Sequence, residues 1–101
     1  MRVIIGLSGA TIVDPNEFTS FDFASDLAAV ELGLAVTELG LGVVDADGEH
    51  VWFAIDGLIR VADPTADEDW RRRLRDMVDY ASTHGWVDDT DRVKAHRARG
   101  A

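Results

Sequence analysis

The sequence predicts an α+β fold: a two-layer sandwich, with a mostly antiparallel sheet of about three to five short strands packed on two main helices. Three observations carry this. Segments rich in Val and Ile occur at 2–13 and 41–55. Two other stretches, 22–39 and 66–84, repeat apolar residues at helical spacing. Clusters of Gly, Asp and Pro punctuate the boundaries between them.

Residues 2–13 are broken by Ser8-Gly9, which fits one bent strand or two short strands joined by a tight turn. Asp14-Pro15-Asn16-Glu17 has the pattern of a helix start, with Phe18 and Phe21 anchoring that turn to the core. A helix is expected over 22–39, with Asp22 as its N-cap. Its apolar rows are Phe23, Leu27, Val30, Leu34 and Ala28, Leu32, Ala35, Leu39, and Gly40 and Gly42 end it. Gly33, inside this helix, costs about 1 kcal/mol relative to Ala and leaves room for close packing.

A hairpin follows over 41–55, turning at Asp47-Gly48 as a two-residue type I′ turn. The β-branched Ile59 and Val61 favour a third meander strand over 58–62; the alternative is a short helix capped by Asp56. The second main helix spans 66–84, opened by the capping box Thr65-Ala66-Asp67-Glu68. Gly85 is its C′ residue, and Trp86 stands where a Schellman motif places its apolar contact. Residues 1–88 form a single α+β domain on this reading, and 89–101 a polar C-terminal tail or short helix.

Composition narrows the function. The 101 residues include 19 acidic and 10 basic side chains, for a formal net charge of −9. Such a chain repels phosphate backbones and anionic lipid surfaces, so neither nucleic acid nor membrane is an expected partner. There is no cysteine, which excludes disulfides, thiolate metal sites and cysteine nucleophiles. Met1–Gly6 lacks the long apolar core of a secretory leader. A cytoplasmic protein is expected, and the Arg-, Ala- and Asp-rich composition suggests a bacterial source.

Glu31 is the most informative single residue. On a helical wheel it falls between the two apolar rows, and a carboxylate there must be paired, protonated or solvated through a cleft. Such a semi-buried Glu31 is a candidate acid or base; the structural alternative is an ion pair with Arg60. His50 is the second catalytic candidate. It shares a strand face with Trp52, and Trp52, Arg60 and Asp56 are candidate binding residues around it. His50, His84 and His96 show no ligand spacing of a metal site, and no metal is expected. Arg71, Arg72, Arg73 and Arg75 are offset by acids at i,i+4 positions: Asp67–Arg71, Glu68–Arg72, Asp69–Arg73 and Arg75–Asp79.

The opening Arg2–Ala10 resembles the strand and Gly-x-Ser-Gly-Ala loop that begins flavin prenyltransferase-type flavoproteins. The resemblance stops at Thr11–Pro15, where that family's phosphate-binding helix begins, so it implies no flavin site here. No cofactor is expected.

His50–Ile55 is apolar on both faces, and two helices cover only one face of a sheet. From this follows the expectation of a non-catalytic accessory or protein-interaction protein acting as a homodimer. The alternative is a small-molecule-binding protein, or a cofactor-independent isomerase or lyase built on Glu31. A domain of this length leaves room for a shallow or shared site more readily than for a deep private pocket.

Overall fold

The computed structural model describes residues 1–63 and 65–98. Nine elements follow in chain order: β1 (Arg2–Gly6), β2 (Gly9–Val13), β3 (Asp22–Ala24), α1 (Ala29–Glu38), β4 (Gly42–Val44), β5 (His50–Ala54), α2 (Ile55–Ala62), α3 (Glu68–Thr83) and β6 (Arg92–Arg97). The strands form a six-stranded curled sheet in the order β2-β1-β3-β6-β5-β4. The α+β class stands, but the mostly antiparallel sandwich with two helices does not. β3 runs parallel to both β1 and β6, and three helices line one face of a mixed sheet.

The core fills that face. Val3 and Ile5 of β1, Phe23 of β3, Val51 and Phe53 of β5, and Val93 and Ala95 of β6 are buried at alternate positions, as the strand period requires. Leu32, Ala35 and Val36 of α1, Leu58 and Ala62 of α2, and Trp70, Leu74, Val78 and Ala81 of α3 pack against them in one cluster. Every fully buried side chain among the described residues is apolar.

Several local expectations are met. Residues 2–13 are two short antiparallel strands joined by a tight turn, at Leu7-Ser8, with Gly9 already paired to Gly6. The 41–55 hairpin pairs Gly42 with Phe53 and Val44 with Val51. Its connection is longer than a type I′ turn: Gly48 alone takes positive φ, at 70°, and its N–H donates to the Asp45 carbonyl at 3.0 Å. α3 ends in the expected Schellman motif. Gly85 has φ 75°, and the N–H groups of Trp86 and Gly85 donate to the carbonyls of Ala81 and Ser82.

Four expectations are corrected. The helix expected over 22–39 is half its length. Asp22 opens a strand instead of capping a helix, because its carboxylate pairs with Arg2 at 2.9 Å across β1 and β3. Residues 14–17 form turns held by the Glu17 N–H donating to the Asp14 carbonyl. Residues 58–62 belong to α2, which follows β5 without a connecting loop.

The fourth correction lies at the C-terminal side. Residues 92–97 are neither tail nor short helix but the strand that joins β3 to β5; 99–101 lie outside the described residues. The reason is Asp88. Its carboxylate accepts from the backbone N–H groups of Thr90 and Arg92, both at 2.9 Å, and pairs with Arg92 Nε at 2.7 Å. This turns the chain so that Val87 meets Val93 and β6 enters the sheet.

The Arg-rich face of α3 is also paired differently. Arg72 meets Asp69 at i,i+3, Arg71 Nε donates to the Ala66 carbonyl, and Arg73 reaches the Asn16 carbonyl. The N-cap of α3 is Asp67, which accepts from the Trp70 N–H at 2.8 Å.

Two consequences can be measured. A Cβ on Gly57 would stand 2.7 Å from the Gly40 carbonyl oxygen and 3.1 Å from Leu41 Cα, where α2 crosses the end of α1. Gly57→Ala should therefore destabilise the protein by roughly 1–3 kcal/mol in urea unfolding, although Ala is the better helix former by about 1 kcal/mol.

Asp88 gives the second. Burial pushes its carboxyl up, but the hydrogen bonds from Arg92 and Thr90 outweigh it, and the group lies below the ordinary carboxylate range. A carboxyl depressed on folding stabilises the fold above the unfolded-state value of about 3.9, and loses that contribution as pH falls through the folded value. Asp88→Asn should lower the urea midpoint at neutral pH and flatten its fall in acid below about pH 4.

Candidate functional site

β3 pairs with β6 only through Asp22–His96 and Phe23–Arg97. The preceding half of β6 has no β3 neighbour; there, Trp86 and Val87 run alongside, and the Lys94 N–H donates to the Trp86 carbonyl at 2.8 Å. Between this half-strand, the 18–22 segment and the end of α3 lies a cleft of about 910 Å³.

Its apolar walls are Phe18, Phe21, Met77, Tyr80 and Trp86. The 14–21 loop carries the two phenylalanines and is held from several sides. The Trp70 indole N–H donates to the Pro15 carbonyl at 2.8 Å. The Met1 ammonium donates to the carbonyls of Glu17 and Ser20 at 2.8 and 2.9 Å. Arg73 lies over the Phe18 ring at 4.7 Å, and Phe18 packs on Trp70 at 5.7 Å. Phe21 meets the core ring of Phe53 edge-on at 5.6 Å. Across the cleft, Trp86 stacks on His84 at 4.6 Å, and His84 touches Tyr80 at 4.7 Å. Trp86 and Tyr80 are 45% and 63% exposed, so flat aromatic surface is open to an incoming molecule.

The polar rim comes from the sheet face opposite the core. His50, Lys94, His96 and Asp22 line it. Asp22 is paired with Arg2. His50 Nδ1 lies 2.6 Å from Asp47 Oδ2. The Asp47 carboxyl is held below its ordinary value, first by the Glu49 backbone N–H; partial desolvation opposes this, and His50 adds to it. Lys94 places its ammonium 5.4 Å above the Trp52 ring, whose indole N–H donates to Asp45 Oδ1 at 3.0 Å.

Of the candidate catalytic and binding residues Glu31, His50, Trp52, Arg60 and Asp56, His50 lines the cleft; Trp52 stands beside it under Lys94. Glu31 is not semi-buried. It is exposed on α1, because the buried row of that helix is Leu32, Ala35 and Val36, while Val30 and Leu34 face outward at 76% and 57% exposure. Arg60 does not pair with Glu31: its guanidinium donates to the carbonyls of Leu39 and Gly40 and so closes the end of α1. Asp56 is exposed in the first turn of α2. The acid–base arrangement built on Glu31, His50 and Arg60 is therefore not assembled.

The second face of β5 is also less apolar than its sequence suggests. Trp52 is partly covered by Lys94 and tied to Asp45, and its cross-strand neighbour Val43 is 40% exposed.

Sequence reasoning missed Tyr80, Trp86, Lys94 and His96 as site residues. The last two lie on the strand taken for a tail, and Tyr80 on a helix analysed for its core stripe. Among the described residues, no helix is long and apolar enough to cross a membrane. Comparison with family models, curated proteins and solved structures gives no significant match.

Proposed function

We propose that the chain is a non-catalytic binding protein whose cleft takes a small organic molecule with a flat, apolar body. The observation that carries this is the cleft itself: about 910 Å³, walled by Phe18, Phe21, Met77, Tyr80 and Trp86, with a few polar groups at one rim. An apolar pocket with a few convergent polar groups is the usual form of a small-molecule site. Exposed aromatic rings cost free energy in water and recover it by stacking on a planar guest. A cytoplasmic setting fits this role, since the sequence has no cysteine.

The reading is tested by titrating the protein with 2-naphthol and following amide signals by NMR. Saturable shifts are expected at 18–21, 80–86 and 93–96. Trp86→Ser should weaken the affinity at least roughly tenfold. Shifts scattered over the surface, or an affinity indifferent to Trp86→Ser, would count against it.

A homodimer is a second reading with its own observation. Val30 and Leu34 project from α1 at 76% and 57% exposure, and a Cβ on Gly33 between them would meet nothing within 4 Å. The close packing that Gly33 permits is not used among the described residues, and a second α1 could use it. Sedimentation should then show a dimer that Leu34→Glu converts to a monomer; a wild-type monomer at high concentration would remove this reading.

A further inference from the structure

We propose that His50 and His96 form a binding site for a borderline divalent cation such as Zn2+, with Asp47 as the residue that orients His50. This inference does not depend on what the cleft binds.

The two histidines are far apart in the sequence, but β5 and β6 pair antiparallel with His50 directly opposite His96. Both stand on the sheet face away from the core, since Val51 and Ala95, their chain neighbours, are buried. Side chains directly opposite on antiparallel strands have Cβ atoms about 4.5–5.5 Å apart. Two imidazoles at that separation can share an ion at Zn–N distances of about 2.0–2.1 Å. Both also line the rim of the cleft, which leaves the remaining coordination positions open to water.

The state of His50 suits the role. Asp47 Oδ2 lies 2.6 Å from His50 Nδ1. A carboxylate only accepts, so Nδ1 carries the proton of this contact, which leaves Nε2 as the nitrogen available to a metal ion. A carboxylate behind a histidine in this way is the usual support of a metal-ligating imidazole. Asp47 is itself fixed: its Oδ1 accepts from the backbone N–H groups of Glu49 and His50 at 2.8 and 3.1 Å. Asp45 stands within the same group, with its carboxylate, that of Asp47 and the His50 ring each offering an atom within 4.8 Å of the others. These carboxylates, in a chain of net charge −9, make the potential at the site favourable to a cation. Two imidazole nitrogens select Zn2+, Ni2+ or Cu2+ over the oxygen-seeking Mg2+ and Ca2+.

The experiment uses the full chain stripped with a chelator and titrated with ZnCl2, with the imidazole C–H signals followed by NMR. His84, stacked between Tyr80 and Trp86, is the internal reference. His50 and His96 should shift together and saturate at one ion per chain, while His84 stays in place. His96→Gln changes an exposed side chain and should weaken binding at least roughly tenfold, with thermal unfolding of the metal-free protein unchanged. Asp47→Asn should weaken it several-fold. The proposal is overturned if all three histidines respond alike, if none responds, or if His96→Gln leaves the affinity as it was.

Discussion

Three residues hold the two halves of the sheet together. Among the described residues, β3, Asp22 to Ala24, links β2-β1 to β6-β5-β4 in the strand order. Its outward residue, Asp22, is tied to Arg2 of β1. Its inward residue, Phe23, is fully buried against Phe53 at a centroid distance of 6.4 Å, with the Arg97 guanidinium 5.1 Å from its ring. So short a strand contributes few ladder hydrogen bonds, and the join depends on one ion pair and one aromatic side chain. The crowding of Phe21, Phe23 and Phe53 supplies by packing what the backbone does not.

The same shortness creates the cleft. A β3 extended at its start would cover the first half of β6, and the sheet would close over the space that now lies there. The 18–22 segment instead leaves the sheet plane and presents Phe18 and Phe21 sideways. The 14–21 loop keeps its path because three donors, the Met1 ammonium, the Trp70 indole and the Arg73 guanidinium, take the carbonyls of Pro15, Asn16, Glu17 and Ser20. Without such partners, a loop bent in this way would leave peptide oxygens unsatisfied where the core approaches. Fold and candidate site are therefore two results of a single interrupted pairing.

How much of this was legible in the sequence depended on whether the signal was local. The Schellman end of α3, the break near Ser8 and the strand pairing within 41–55 are settled by a few consecutive residues and agree with the structure, whereas the type I′ turn expected for that hairpin does not. β3 was not, because Phe23, Leu27, Val30 and Leu34 imitate a helical row. The structure divides that row among a strand, a connection and the exposed side of α1. β6 was missed because Val93 and Ala95 are its only apolar inward residues, set among Arg, Lys and His. Its strand character comes from its neighbours, which no window of sequence contains. The site suffered most: Lys94 and His96 reach the rim only through β6, and Glu31 drew attention through a wheel whose buried arc was misplaced.

The position of β6 also has a kinetic consequence. The Arg97 side chain donates to the Ser25 carbonyl, a contact spanning 72 residues of chain. The β4–β5 hairpin and β1–β2 can each form from nearby sequence, but neither half of the sheet can find the other until β6 has docked beside β3. Such long-range closure slows folding and leaves strand edges unpaired while it is awaited. The waiting edges are those of β3 and β5, whose inward faces carry Phe23 and Phe53. During that interval the acidity of the chain has a further use, because like-charged molecules keep apart while their apolar strands are still bare.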